Sequence, residues 1–434
     1  MILRFLATFL VMAFLQAASF AADKPEMPVG VYLSWELAHA YAKENQVPLD
    51  EFLDQSLALC AERGVNILWV TNIDAADLPS LQNLCERHGI SLLANACEGK
   101  VPALYEDGAS GLRQAVERMA DAASPTLGHW IVSDEPEGRH VLGLVEYVEM
   151  LRRRDPMRKC SLVVTAGMVR EIIGKVPVDM AAVDPYPFFG PGDPNGPHTR
   201  ESSEAYYRNT SETFVAECRK ALVEPWLMMQ SFAEVWGPYR YSDDGQLIAL
   251  PGSYLHWVTP GISEIRWQVF EALRQGAQGL VFFQLVPTML PENGSLSMPD
   301  VPWKDVLVKD ETSAGYAALL TLHGKPTPQF DEIGALFRLI RLHSSMLLGA
   351  RPVVMPEWLG ERPATVATAA FAGRQEGRTF VILVNDDLTG SVRVGLSEGG
   401  LLNLVTGDPC PGTVELPPGG GAILVKEEDG HAIR

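Results

Sequence analysis

The chain has 434 residues, room for one large domain and a smaller one, and its formal charge of −19 comes with no basic cluster of the kind a nucleic-acid backbone requires. The same acidity disfavours an anionic polysaccharide and suits a neutral partner. Six cysteines over this length are too sparse for a disulfide scaffold, and no Cys/His spacing of a zinc site occurs.

Residues 1–22 read as a secretory leader. Arg4 supplies the positive end, Phe5 to Phe14 form an apolar run broken only by Thr8, and Ser19-Phe20-Ala21 offers a small-x-small cleavage site. The run is short for a membrane span, so the mature chain is expected in a secreted or periplasmic setting, with no membrane contact after cleavage. An uncleaved N-terminal anchor is the competing reading.

Strand and helix patterns then alternate with a regular beat. The predicted strands are 29–35, 65–72, 90–97, 129–134, 159–165, 178–183, 226–232 and 279–285. Each is a short apolar run bounded by turn residues, as strands covered on both faces should be. The predicted helices are 49–63, 78–88, 111–123, 142–154, 169–175, 203–223, 263–275 and a region within 316–348. Several stop at glycine or just before proline. Eight such units predict a (β/α)8 barrel over 23–349; a doubly wound sheet is disfavoured, because no Gly-rich phosphate loop follows the first strand. From residue 350 the texture changes to short alternating strands at 365–371, 379–385, 392–396, 401–405 and 422–426, predicting a small antiparallel β-sandwich over 350–434. Its few aromatic candidates for an exposed surface are Trp358 and Phe371, and it reads as structural. Cys60 and Cys85 fall on neighbouring predicted helices, so either one bridge or two buried thiols is consistent with the pattern.

A barrel of this kind carries its site at the carboxyl ends of its strands. Those ends offer Trp35, Asn72, Asn95 and Glu98, Asp134 with Glu135, Asp184 with Tyr186, Gln230 followed by Glu234 and Trp236, and Gln284. Carboxylates and amides bond hydroxyl groups, and aromatic rings stack on pyranose faces, so this ring of residues suits a sugar. No cofactor or metal is called for: His and Lys are scarce at these positions and no HxH or HExxH occurs. Glu135 is the leading catalytic residue, because Asp-Glu-Pro closes an apolar strand where it enters the mouth; a helix cap is the alternative.

The segment HWIVSDEP resembles the acid/base strand of clan A glycoside hydrolases, the superfamily that includes the family 42-type β-galactosidases. VDPYPF, WLMMQSF and EIRWQVFEALRQGAQGLVFFQ are similar to the sixth strand, the seventh strand and the seventh helix with the eighth strand of that group, and LPPGGGAILVK to the closing strand of the sandwich behind it. The resemblance implies Glu135 as general acid/base of a retaining glycosidase acting on a neutral oligo- or polysaccharide. Two positions depart from it: Asp134 replaces an Asn, and Gln230 stands where the nucleophilic Glu is expected. Glu234, four residues on, is the next candidate for nucleophile, with Asp184 and Glu264 in reserve; Glu264 suits the start of the seventh helix better. Asp134, Trp35, Asn72, Asn95, Asp184, Tyr186, Gln230, Trp236 and Gln284 are the expected substrate contacts. A non-catalytic carbohydrate-binding barrel is the alternative, motivated by Gln230, and a metal-dependent barrel enzyme is the weakest reading.

Overall fold

The computed structural model describes residues 26–97, 109–190, 193–194, 196, 199–236, 239–241, 247–249, 254–287, 318–321, 323–374 and 378–426. The leader and Glu98 lie outside the described residues.

Seven parallel strands come first: β1 (Val29–Ser34), β2 (Ile67–Thr71), β3 (Ser91–Asn95), β4 (Leu127–Ser133), β5 (Lys159–Val164), β6 (Met180–Val183) and β7 (Glu224–Gln230). Four short strands are then inserted, β8 (Glu234–Trp236), β9 (Tyr239–Tyr241), β10 (Leu247–Ala249) and β11 (Tyr254–Trp257), before β12 (Gly279–Phe283) pairs with both β7 and β1 and closes the barrel. Side chains along a strand point alternately to its two faces. On β1, Val31 and Leu33 therefore pack outward under the helices while Tyr32 points into the barrel with Ile67 and Trp69 of β2. Gly279 makes room for a large ring at the barrel floor, since a Cβ there would lie 2.5 Å from the Trp226 indole.

The helices are α1 (Trp35–Glu44), α2 (Leu49–Glu62), α3 (Leu78–Arg87), α4 (Ala109–Ala122), α5 (Val141–Arg154), α6 (Val169–Ile172), α7 (Arg200–Ala221), α8 (Ile262–Gln275), α9 (Pro328–Leu342) and α10 (Ser344–Leu347). α1 departs from the expected loop: Ala38, Tyr41 and Ala42 recur at helical spacing and are buried. Among the described residues no helix is long and apolar enough to cross a membrane. Cys60 and Cys85 are free, buried thiols.

The C-terminal strands are β13 (Arg351–Pro352), β14 (Val366–Ala372), β15 (Thr379–Asn385), β16 (Val392–Gly395), β17 (Leu401–Asn403), β18 (Asp408–Cys410), β19 (Thr413–Leu416) and β20 (Gly421–Lys426). Six form one sheet, in the order β13-β14-β15-β20-β17-β18, faced by the β16–β19 pair. β15 shows how this sheet serves two cores. Phe380, Ile382 and Val384 join the barrel core that α8 belongs to, whereas Val381 and Leu383 join the inner core of the sandwich. Polar contacts reinforce the junction: Asp386 accepts the Trp267 indole N–H at 3.1 Å and an Arg208 guanidinium N–H. Trp358 and Phe371, the aromatic candidates for an exposed surface, are 6% and 3% exposed, so neither offers a surface to a sugar. Both fill core instead.

Candidate active site

β4 ends at Ser133, and Asp134 and Glu135 follow at the carboxyl-end mouth. In a continuing strand their side chains would point to opposite faces. Glu135 instead has a left-handed backbone, φ 48°, while its N–H still donates to Val163 O at 3.1 Å. A non-glycine residue held there carries strain of about 1–2 kcal/mol. The turn leaves both carboxyls exposed in the same mouth.

Their partners lie in different directions. The Asp134 carboxylate accepts the Tyr32 hydroxyl at 3.5 Å, and that hydroxyl also meets Thr71 Oγ1 at 2.6 Å. Desolvation, with the nearby Glu135 charge, pushes the Asp134 carboxyl up to about 7, against the lowering effect of the Tyr32 hydrogen bond. Asp134 is open to solvent on its cleft side and enclosed elsewhere, so the upward direction follows from its surroundings. Glu135 reaches the other way and shares a hydrogen bond with the Asp184 carboxyl beyond β6. Burial, that hydrogen bond and the charges of Glu135 and Asp134 raise Asp184 well above the ordinary carboxylate range. Asp184 therefore keeps its proton to a higher pH than an ordinary carboxyl.

A fourth carboxyl enters from the insertion. β8 and β11 pair, with Glu234 opposite Trp257, and β11 is tied to the segment after β6 by the Phe189–Trp257 bridge and by Val258 N–H to Phe188 O at 3.0 Å. Glu234 accepts a hydrogen bond from the Trp236 side chain, which lowers its pKa. Burial outweighs this and, helped by the Glu135 charge, pushes Glu234 up to about 7. Trp236, 42% exposed, stacks on His256 with ring centroids 3.8 Å apart, and His256 Nδ1 lies 2.6 Å from the buried Asp193 carboxylate. This is an aromatic surface braced from behind.

Beneath the carboxyls lies an apolar floor. Tyr186 packs edge-on against Phe232 and Trp257 at 5.0 and 5.3 Å, and Phe283 joins them 4.9 Å from Phe232. Tyr186 is beside the acidic cluster, since Asp184, Glu135 and Asp134 all add to the burial that raises its phenol. The Trp257 indole Nε1 is buried, with no hydrogen-bond partner among the described residues.

Several expected substrate contacts are occupied elsewhere. Gln230 is fully buried: its Oε1 accepts Phe188 N–H at 2.9 Å, and its Nε2 donates to Val258 O at 2.8 Å and Phe188 O at 3.1 Å. Its amide therefore fastens β7 to the loops above it. Asn95 accepts Ile73 N–H at 2.9 Å and donates to Ile73 O and Cys97 O, clamping the turn after β2. Trp35 is 5% exposed and donates to Asp77 at 3.1 Å, and Gln284 is 1% exposed. Glu264 accepts Gly261 N–H at 2.6 Å at the start of α8, the capping role expected of it. Asn72, φ 64°, stands exposed at the rim. The structure thus brings Asp134, Glu135, Asp184, Tyr186, Glu234 and Trp236 together, places Trp35, Asn95 and Gln230 in supporting roles and buries Gln284. The sequence does not single out Tyr32, His256, Trp257 or Tyr206, whose phenol is raised to about 12 by burial and by the charges of Asp184 and Glu135. Tyr32 carries a signal, a tyrosine at an inward strand position; the others sit on elements whose placement is not local. Among the described residues no group of three His, Cys, Asp or Glu side chains is arranged to hold a metal.

No protein-family model and no curated sequence matches this chain. Among solved structures, a β-galactosidase from Bacillus circulans sp. alkalophilus aligns over 94% of this chain and 100% of its own, with a TM-score of 0.58 at 9% identity. The likeness shows the fold. A β-galactosidase from the Antarctic haloarchaeon Halorubrum lacusprofundi aligns with a TM-score of 0.49 at 15% identity, over 76% of this chain; this chain spans 60% of that one. A family 5 mannosidase from Rhizomucor miehei gives 0.47 at 12% identity, over 74% of this chain and 94% of its own.

Proposed function

We propose that the protein is a glycoside hydrolase that cleaves a neutral oligo- or polysaccharide with net retention, Glu135 serving as general acid and then as general base. The observation that supports this most is Glu135 itself, held at φ 48° in the mouth with its carboxyl on that of Asp184. Strain stored at one residue, aiming a carboxyl into a cleft, is characteristic of a functional position. A carboxyl at this place can give a departing glycosidic oxygen the proton it needs, and the raised Asp184 carboxyl beside it keeps a proton at hand. Asp184 does not suit the nucleophile's place as arranged, because two catalytic carboxyls need about 5 Å between them to flank an anomeric carbon. Glu234 is the enzyme-borne candidate for that place, and Trp236 beside it is a stacking surface for a sugar. The name of the solved structure that aligns at a TM-score of 0.58, a β-galactosidase, agrees with this class of reaction.

In this reading residues 23–349 are the catalytic unit, 350–434 a structural support, and the leader at 1–22 directs the enzyme out of the cytoplasm. The test is Glu135→Gln assayed on 4-nitrophenyl glycosides, with sugar binding followed separately. Loss of turnover by about 10²-fold or more with binding retained is expected. Unchanged turnover would remove the assignment, and a wild-type protein that binds sugar without cleaving it would favour the non-catalytic barrel.

A further inference from the structure

The seventh strand ends in an amide that is fully used by backbone, so the barrel itself presents no nucleophile there. What it does present is a consecutive acid pair, Asp134 and Glu135, turned into one mouth by the left-handed residue between strand and loop. We propose that the substrate is a β-linked 2-acetamido-2-deoxyglycoside whose own acetamido oxygen attacks the anomeric carbon, with Glu135 as proton donor and Asp134 receiving the acetamido N–H. The inference rests on the hydrolase reading above and names its substrate class and its nucleophile.

Three features of the site support it. Asp134 is held by the Tyr32 hydroxyl, itself 2.6 Å from Thr71, while its cleft side stays open, which suits an acceptor that must meet a substrate N–H. Beside it the part-exposed rings of Trp257 and Phe283, packed on the buried Phe232 and Tyr186, form an apolar surface for the acetamido methyl. Glu135 needs no carboxylate opposite it in this scheme, which agrees with its resting contact on Asp184.

The step balances as follows. The acetamido carbonyl oxygen bonds to C1 from the face opposite the leaving oxygen. The C1–O bond breaks, its electron pair goes to the leaving oxygen, and that oxygen takes the Glu135 proton. The amide has become an oxazolinium whose N–H faces the Asp134 carboxylate. Glu135, now ionised, takes a proton from water while the water oxygen bonds to C1 and the ring C–O electron pair returns to the acetamido group. Configuration is retained and Glu135 ends protonated. Attack from the opposite face requires the acetamido group and the leaving oxygen to be trans, hence a β-linked glucosaminide or galactosaminide.

The experiment uses the wild-type protein and 4-nitrophenyl β-glycosides bearing acetamido, mono-, di- or trifluoroacetamido, or hydroxyl at C2. Turnover confined to the amides, with kcat/KM falling stepwise by on the order of 100-fold from acetyl to trifluoroacetyl, supports the inference, because fluorine weakens only the attacking carbonyl. Hydroxyl substrates cleaved as well as the amides, or a 2-fluoro sugar left covalently on Glu234, would overturn it while leaving the hydrolase reading standing. No turnover of either series would remove both. In Asp134→Asn, loss of turnover on the acetamido substrate on the order of 10²-fold is expected, and wild-type turnover in that variant would also overturn the inference.

Discussion

Replacing Glu234 by glutamine tests the electrostatics of the site without reference to any substrate. In the folded protein burial, aided by the Glu135 charge, raises this carboxyl from 4.5 to about 7. A carboxyl raised on folding binds its proton more tightly in the native state. Its stabilising contribution is therefore complete below pH 4.5 and is lost as the pH rises through about 7. The displacement corresponds to about 3 kcal/mol, an upper bound because part of the side chain is exposed and screened by solvent. Glutamine keeps the acceptor for Trp236 and never ionises. Thermal unfolding of the wild type and Glu234→Gln at pH 4.5 and pH 8.5 should thus give similar melting temperatures at the lower pH. At the higher pH the variant should be more stable, by about 6 °C at the ~2 °C per kcal/mol expected of a large domain. An equal difference at both pH values would show that the carboxyl is not raised by its surroundings, and the reasoning would fail.

Three further outcomes follow from the geometry. Tyr32→Phe removes the hydrogen bond that lowers the Asp134 carboxyl, so any limb of the pH–rate profile set by Asp134 should move to higher pH, at a stability cost of about 1 kcal/mol; a limb that stays in place or moves down would break the link. Gln230→Glu, although it restores the residue that the superfamily resemblance places at this strand end, should create no nucleophile. It would face three backbone carbonyls, from Phe188, Val258 and Phe232, with a buried charge and cost about 3 kcal/mol or more, so a stable variant with gained activity in denaturant and rate assays would contradict the structure. At Glu135, φ 48° favours glycine, so Glu135→Gly should be more stable than Glu135→Ala by about 1 kcal/mol in urea unfolding, with both inactive; the reverse order would exclude the left-handed backbone.

The division between what sequence and structure decide runs along the range of the interactions. Eight apolar runs bounded by turn residues are local patterns, and they determined the barrel, its strand ends and the sandwich behind it. Position at a strand end marked Asp134, Glu135 and Asp184 for the same reason, since the carboxyl ends of barrel strands meet at one mouth. Which way a side chain turns there, and what it already bonds, is not local. Asn95 and Gln230 read as sugar-binding amides, yet their hydrogen bonds are taken by the backbone of Ile73, Phe188 and Val258, 22 to 42 residues away. No local pattern marks Trp257 and His256; only the pairing of β8 with β11 carries them to the site and sets Glu234 there. The helix at Trp35 is hard to read because it starts directly at the end of the apolar run of the first strand; Ser34 is a residue type that favours an N-cap, yet its side chain makes no cap hydrogen bond. Composition and period determined where the chemistry could be placed. The tertiary structure decided which residues are free to perform it, because a buried polar group must satisfy its hydrogen bonds with whatever the fold brings to it.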